Sequence, residues 1–351
     1  MKQDVPFSSK RLLLTLTLCA CAVILLQNHD LSTDLPFPLQ LGSLAAGLAV
    51  CLLLFVPAIR LKLRYDSDVP SLALRRSKAE QITVAVLYTL YFLFVAAYFL
   101  LPYTAMFCQK YYTETSPAFV ALLLLACCVY AAYKGVNVIT RFGIFLFVLA
   151  LLTNALLFGG CISEVDFRNG SFGVTGNMDV FWRDALYYTT PCFTAALFAC
   201  LSKDALRFRW RHVVFSLGAS GVKYALVMFF LTFAAGEYAE RQAFPTFVLS
   251  RVAHFGSFAG VESLYMALST MSVFMTVSLL LCGVTKMWGK GGSLRLIAVL
   301  TAVIFGVQLL ALRYPFITAV LTSPLWLTGL TVLTATVLPT VYLLRERRQH
   351  A

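Results

Sequence analysis

The residues that could do chemistry in this chain are few, and they are binding groups, not catalysts. The run Tyr187-Tyr188-Thr189-Thr190-Pro191-Cys192-Phe193-Thr194 places three threonine hydroxyls around a proline inside an apolar stretch. Pro191 has no N–H to donate and its ring clashes with the preceding turn, so a helix there breaks and the carbonyl near Tyr187 is freed. Thr190 and Thr194 can then present hydroxyls, and the broken backbone its N–H groups, to a ligand carboxylate. Thr17, Cys19 and Tyr98 lie in other apolar stretches and are weaker candidates for the same site. Lys223, in Gly218-Ala219-Ser220-Gly221-Val222-Lys223, lies about ten residues from either end of its stretch, some 15 Å from either interface. An ionisable side chain at that depth is a functional hypothesis by default. The alternative is a structural lysine bonded to backbone carbonyls of another helix.

Bond-making chemistry has no candidate. The four histidines, His29, His212, His254 and His350, form no constellation, and there is no Gly-rich phosphate loop and no paired-carboxylate motif. The ten cysteines show no CxxC pairing, so no metal centre is expected. No cofactor and no enzyme activity are expected either. Most cysteines fall within apolar stretches and read as small apolar residues. Cys108 and Cys161, near stretch ends, are a disulfide pair that the sequence permits.

These residues must be positioned by membrane helices. Ten apolar segments fill the chain: Leu12–Leu26, Leu39–Ile59, Ile82–Phe107, Ala118–Tyr133, Phe142–Cys161, Ala185–Leu201, Val213–Ala235, Ser263–Val284, Leu294–Leu312 and Leu325–Leu344. About 20 apolar residues cross the hydrocarbon core as a helix, and continuous runs exclude the alternating barrel pattern. The sequence therefore predicts an all-α polytopic membrane protein, one permease-like domain of ten transmembrane helices. Lys and Arg sort to the two sides as 21 against 6, with Lys223 left inside a segment. The richer side takes the N-terminus, the loops after even-numbered segments and the C-terminal tail. The positive-inside rule then puts both termini in the cytoplasm. The net charge of +12 is thus a topology signal that also favours anionic headgroups of the lipid bilayer, not a sign of nucleic acid.

Lys10-Arg11 before fifteen apolar residues has the look of a signal peptide, but Gln27-Asn28-His29-Asp30 is no cleavage site, so the segment is read as retained. The acidic residues between the fifth and sixth segments, Glu164, Asp166, Asp179 and Asp184, read as a solvated loop. Ten helices divide into five plus five, and an odd number per half forces the halves into opposite orientation, the condition for an inverted repeat. In such folds the site lies near the midplane at the discontinuous first helix of each half. Here those are the first segment, of fifteen residues, and the sixth, with Pro191.

The stretch TSPAFVALLLLACCVYAAYKGVNVITRFGIFLF, with Thr115, Pro117, Lys134-Gly135 and Arg141, resembles the endospore germination permeases, the membrane B subunits of nutrient germinant receptors. FPTFVLSRVAHFGSFAGVESL, with Pro245, Arg251, Gly256 and Glu262, is similar to the family's approach to the eighth helix. The second segment with Pro70, and Ser8-Ser9, fit as well. The chain departs from the family pattern at Asn137, at Thr276 and in a first segment without a central glycine. The resemblance implies kinship with the amino acid–polyamine–organocation transporters. It further implies a receptor subunit in the spore inner membrane, or a protein of the cytoplasmic membrane, that binds a small nutrient such as an amino acid. Its implied partners are an A-type subunit and a C-type lipoprotein. The alternatives are an amino-acid transporter of the vegetative cell and a scaffold that has lost its ligand.

Overall fold

A computed structural model describes residues 7–26, 35–111, 113–173, 176–206, 208–240, 242–255, 258–289 and 293–349. Gln27–Asp30 and Gly256, used above, lie outside them. The described residues are mainly helical: α1 (Ser9–Leu25), α2 (Phe37–Tyr65), α3 (Val69–Arg76), α4 (Lys78–Lys110), α5 (Pro117–Lys134), α6 (Val136–Cys161), α7 (Met178–Tyr187) and α8 (Phe193–Leu201). There follow α9 (Trp210–Phe230), α10 (Glu237–Glu240), α11 (Pro245–Val252), α12 (Glu262–Met287), α13 (Leu294–Arg313), α14 (Pro315–Leu321), α15 (Pro324–Thr331) and α16 (Leu338–Gln349). The strands are two-residue pairs, Phe7–Ser8 beside Ala205–Leu206 and His254–Phe255 against Phe258–Ala259.

Among the described residues, eight helices are long and apolar enough to cross a membrane. The two remaining apolar segments are the first and the sixth, while the fourth, also short in sequence, forms the span α5. The first is α1, 17 residues or about 25 Å at 1.5 Å per residue. The sixth is divided into α7, a 3₁₀ turn at Thr190–Cys192 and α8. Proline and glycine set the local limits. Pro117 and Pro245 stand in the first turns of α5 and α11, where a missing N–H costs nothing. Gly135, at φ +91°, makes the reversal between α5 and α6 that a residue with a Cβ would resist.

Side-chain contacts sort the connections to two ends of the bundle. At the terminal end, Phe7–Ser8 pairs with Ala205–Leu206, and Lys62 Nζ bonds Asp66 (2.6 Å) and the Lys203 carbonyl (2.9 Å). Arg76 pairs with Glu346 at 3.1 Å and Arg345 with Glu80 at 2.8 Å. Asp68, fully buried, caps α3 through the Ser71 N–H and holds Lys286 of α12 at 2.7 Å. At the far end, Arg251 pairs with Glu262 at 2.9 Å, so these two motif residues anchor α11 to the start of α12. Beside them Tyr111 is held up to about 12 by burial and, secondarily, by the Glu262 carboxylate.

Two sequence expectations change here. In the acidic connection between α6 and α7, Glu164, Asp166 and Asp179 are exposed, as a solvated loop requires, and Asp184 is the exception. Asp166 caps the Arg168 N–H, its own N–H reaches the Phe233 carbonyl, and Phe167 and Phe172 pack on Phe233. Phe167 and Phe172 stay largely exposed while lying against the buried Phe233 just past α9. Asp184 is no loop residue but a buried member of α7. The Cys108–Cys161 pair does not form: both thiols are free, and Cys161 Sγ lies on the Leu249 carbonyl at 3.5 Å.

Candidate functional site

The break in the sixth segment is built by local chemistry. Through α7 the backbone bonds run four residues back, ending with the Tyr188 N–H on the Asp184 carbonyl at 3.0 Å. They then tighten to three residues, Thr189 to Leu186 (3.1 Å) and Cys192 to Thr189 (2.9 Å), because Pro191 has no N–H to continue the ladder. Threonine hydroxyls add bonds to carbonyls on either side of the break. Thr194 Oγ1 donates to the Pro191 carbonyl at 2.6 Å, and Thr189 Oγ1 donates to Leu186 at 2.6 Å while lying 2.6 Å from Thr328 Oγ1. Short hydroxyl side chains bond nearby backbone in this way where water is absent.

Neighbouring helices hold the break in place. A disulfide joins Cys192 to Cys51 of α2, with Cα atoms 5.1 Å apart. At Gly47 a Cβ would stand 2.6 Å from Tyr188 Cβ and 2.7 Å from the Ala185 carbonyl oxygen. Only glycine lets α2 approach α7 so closely. Phe193, the first residue of α8, meets Phe99 of α4 edge-on at 5.1 Å.

Thr190 is what the break leaves over. It is 1 % exposed, and its hydroxyl has no hydrogen-bond partner of normal geometry. The Tyr98 phenol interacts with it from α4. A buried polar atom without a full partner is costly, and such groups ask for an explanation. Tyr98 is also part of the wall of a cavity of about 350 Å³ that includes Arg183, Leu186, Tyr187, Pro102 and Thr322. The cavity lies at the far end, between the last turn of α1, α4, α7 and the start of α15. Arg183 and Tyr187, four residues apart on α7, present a cation and a phenol to one space. Walls that are mainly apolar and aromatic, with a few polar groups, fit a small organic ligand.

The seven residues singled out from sequence fall into three groups. Tyr98 lines the cavity and meets Thr190, the neighbour of Pro191, behind it, while Thr190 and Pro191 themselves are not in the cavity wall. Thr194 sits at the break, but its proton is committed to the Pro191 carbonyl. Thr17 and Cys19 lie on α1 and Lys223 on α9. Thr17 donates to the Leu13 carbonyl and lies 2.6 Å from Ser216 Oγ of α9. Cys19 faces Thr276 of α12. Lys223 is buried on the α9 face that carries Ser216 and Ser220, with Cys21 of α1 as its electrostatic neighbour. No carboxylate among the described residues pairs with it. The link between this seam and the break is Tyr224, which bonds the Ala20 carbonyl at 3.1 Å and packs edge-on against Tyr188 at 5.9 Å.

A family model described as spore germination protein matches residues 81–314. The chain belongs to this family of spore germination permeases. Membership gives it a role in spore germination, and with its long apolar helices it is a membrane protein. No curated protein is similar enough to count as a relative of the chain. The matched region runs from the first turn of α4 to the end of α13. It therefore contains Tyr98, Arg183, Tyr187, Thr190 and Lys223, while α1, α2 and α15 complete the site from outside it. Several residues behind the resemblance turn out to shape the scaffold: Pro117 and Pro245 start helices, Gly135 reverses the chain, and Arg251 and Glu262 pair.

Proposed function

We propose that this chain is the ligand-binding membrane subunit of a nutrient receptor that triggers germination. In this reading ten helices cross the membrane, the eight long ones together with α1 and the divided α7–α8. They form a five-plus-five inverted repeat with both termini in the cytoplasm. The terminal end is then cytoplasmic and the cavity opens outward, as the basic asymmetry of the sequence requires. A small nutrient, an amino acid by preference, enters past Arg183, which attracts its carboxylate, and settles against Tyr98, Tyr187 and the break. The observation that carries this reading is the buried Thr190 hydroxyl, left without a full partner behind Tyr98, which lines a cavity of ligand size. A-type and C-type subunits are the partners through which occupancy is passed on. A ligand that binds one conformation better shifts its population, which is all a receptor needs.

Spores carrying Thr190→Val test the site. The substitution keeps the shape and removes the hydroxyl, and a lost hydrogen bond to a charged group weakens binding by about tenfold. Nutrient dose–response should move to about tenfold higher concentration, with less effect from Thr194→Val, whose hydroxyl serves the backbone. An unchanged response to Thr190→Val at normal protein levels would place the site elsewhere. Labelled amino-acid uptake into vesicles distinguishes the transporter: accumulation that saturates with solute and vanishes in Thr190→Val would replace sensing by transport.

A further inference from the structure

On the flank of the terminal end, α2 and α16 run side by side in the same direction. Between them lies an open furrow of about 560 Å³. Its walls are apolar, with Val56 on one side and Leu343 and Leu344 on the other. At its terminal end stand three arginines, Arg60 and Arg64 one helical turn apart on α2, and Arg347 from α16. Carbonyl groups at two helix C-termini favour cations there, but the acids that could neutralise these three are engaged. Asp66 is held by Lys62, Glu346 by Arg76 and Glu80 by Arg345. No described carboxylate is within ion-pair distance of Arg60, Arg64 or Arg347. Three like charges around one furrow repel each other unless an anion lies among them.

Guanidinium forks match phosphate oxygens two at a time, and the wall beyond them suits a hydrocarbon chain. Thr340, also lining the furrow, can donate its hydroxyl to an ester carbonyl. Pro57, inside α2, also lines the furrow. We propose that the furrow is a binding site for one anionic glycerophospholipid of the adjacent leaflet. Its phosphate sits among Arg60, Arg64 and Arg347, and one acyl chain runs along Val56, Leu343 and Leu344. Basic pockets between helices at a membrane face hold such headgroups. A general excess of basic residues would not select this furrow, because the paired arginines nearby would serve equally well.

The test uses the full chain in phosphatidylcholine nanodiscs titrated with phosphatidylglycerol, with bound lipid counted by native mass spectrometry. The parent should retain one phosphatidylglycerol. Arg60→Gln/Arg64→Gln/Arg347→Gln should weaken retention on the order of a hundredfold, about fivefold for each cation near an anion. A control of equal charge, Arg141→Gln/Arg211→Gln/Arg295→Gln, should retain the lipid as the parent does. Leu343→Trp leaves the arginines intact and fills the furrow, so its loss of the lipid supports the acyl-chain placement even if the triple variant misfolds. Equal loss in the charge control, or retention in Leu343→Trp, overturns the site. Thermal protection by inorganic phosphate matching that by phosphatidylglycerol overturns the lipid as its occupant.

Discussion

At one end of the bundle the helices are tied by paired charges, while at the other they part around a cavity beside the break at Thr190–Cys192. Asp68 crosses from the α3 cap to Lys286 on α12, and Lys62 reaches the Lys203 carbonyl just past α8. The far end has an ion pair too, Arg251 with Glu262, but it is partly exposed and lies on the rim between α11 and α12. None of the residues lining the cavity forms a salt bridge within the described chain. The divided helix is joined to both regions. Its first half forms a wall of the cavity, and its second half ends at the terminal lock. Under the proposed reading, occupancy of the cavity would be passed along α8 to the lock.

The largest expected effect is on the lock. Lys286→Met leaves Asp68 charged and buried, and breaking a buried pair from one side costs about 3 kcal/mol. Thermal unfolding in detergent should show the loss, and Asp68→Asn/Lys286→Met should recover most of it. Cys200 is a buried thiol close enough to Asp68 and Lys286 to feel their charges. Removing the cation leaves less of the reactive thiolate, so faster reaction with maleimide in the single variant would report that this end has opened to solvent, and reactivity that does not rise would mean that the pair does not close that end.

Next in size is Lys223→Met, which keeps the apolar stem and removes the charge. If the seam between α1 and α9 takes part in the response, the variant accumulates and melts like the parent, yet needs at least about tenfold more nutrient, the equivalent of one lost charged contact. Greater stability with an unchanged response would mark the lysine as structural. Smallest is Arg183→Gln at the cavity mouth. It should lower sensitivity to carboxylate-bearing nutrients about fivefold in low salt, with the difference shrinking as salt screens the exposed charge. A salt-independent difference would assign Arg183 to packing.

What could be read in advance follows from how local each cause is. The break at Pro191 was legible because proline acts on its own helix, and α1 was marked by its shortness. The fate of the hydroxyls was not. Thr194 and Thr17 look like Thr190 in sequence, and only the fold shows that the first serves Pro191 and the second Leu13 and Ser216. The Cys51–Cys192 and Asp68–Lys286 links join residues separated by 141 and 218 positions, with no spacing rule to announce them. Asp184 was misplaced because α7 begins before the apolar run does, at Met178, with Asn177 capping the Asp179 N–H. Arg183 and Tyr187 could have been found, since they stand four residues apart on the helix leading to Pro191 and so share a face.

Leu186 lines the cavity between Arg183 and the break, and Leu186→Cys gives the most direct measurement. Spores or intact cells carrying this variant are treated with a membrane-impermeant thiol reagent, and their nutrient dose–response is compared with that of the treated parent. Modification from outside and a lost nutrient response are expected in the variant alone, with nutrient present during treatment slowing the reaction. A cysteine at 186 that is modified while the response stays unchanged would contradict a ligand site beside the break. One that reacts only after the membrane is opened would contradict an outward-facing cavity.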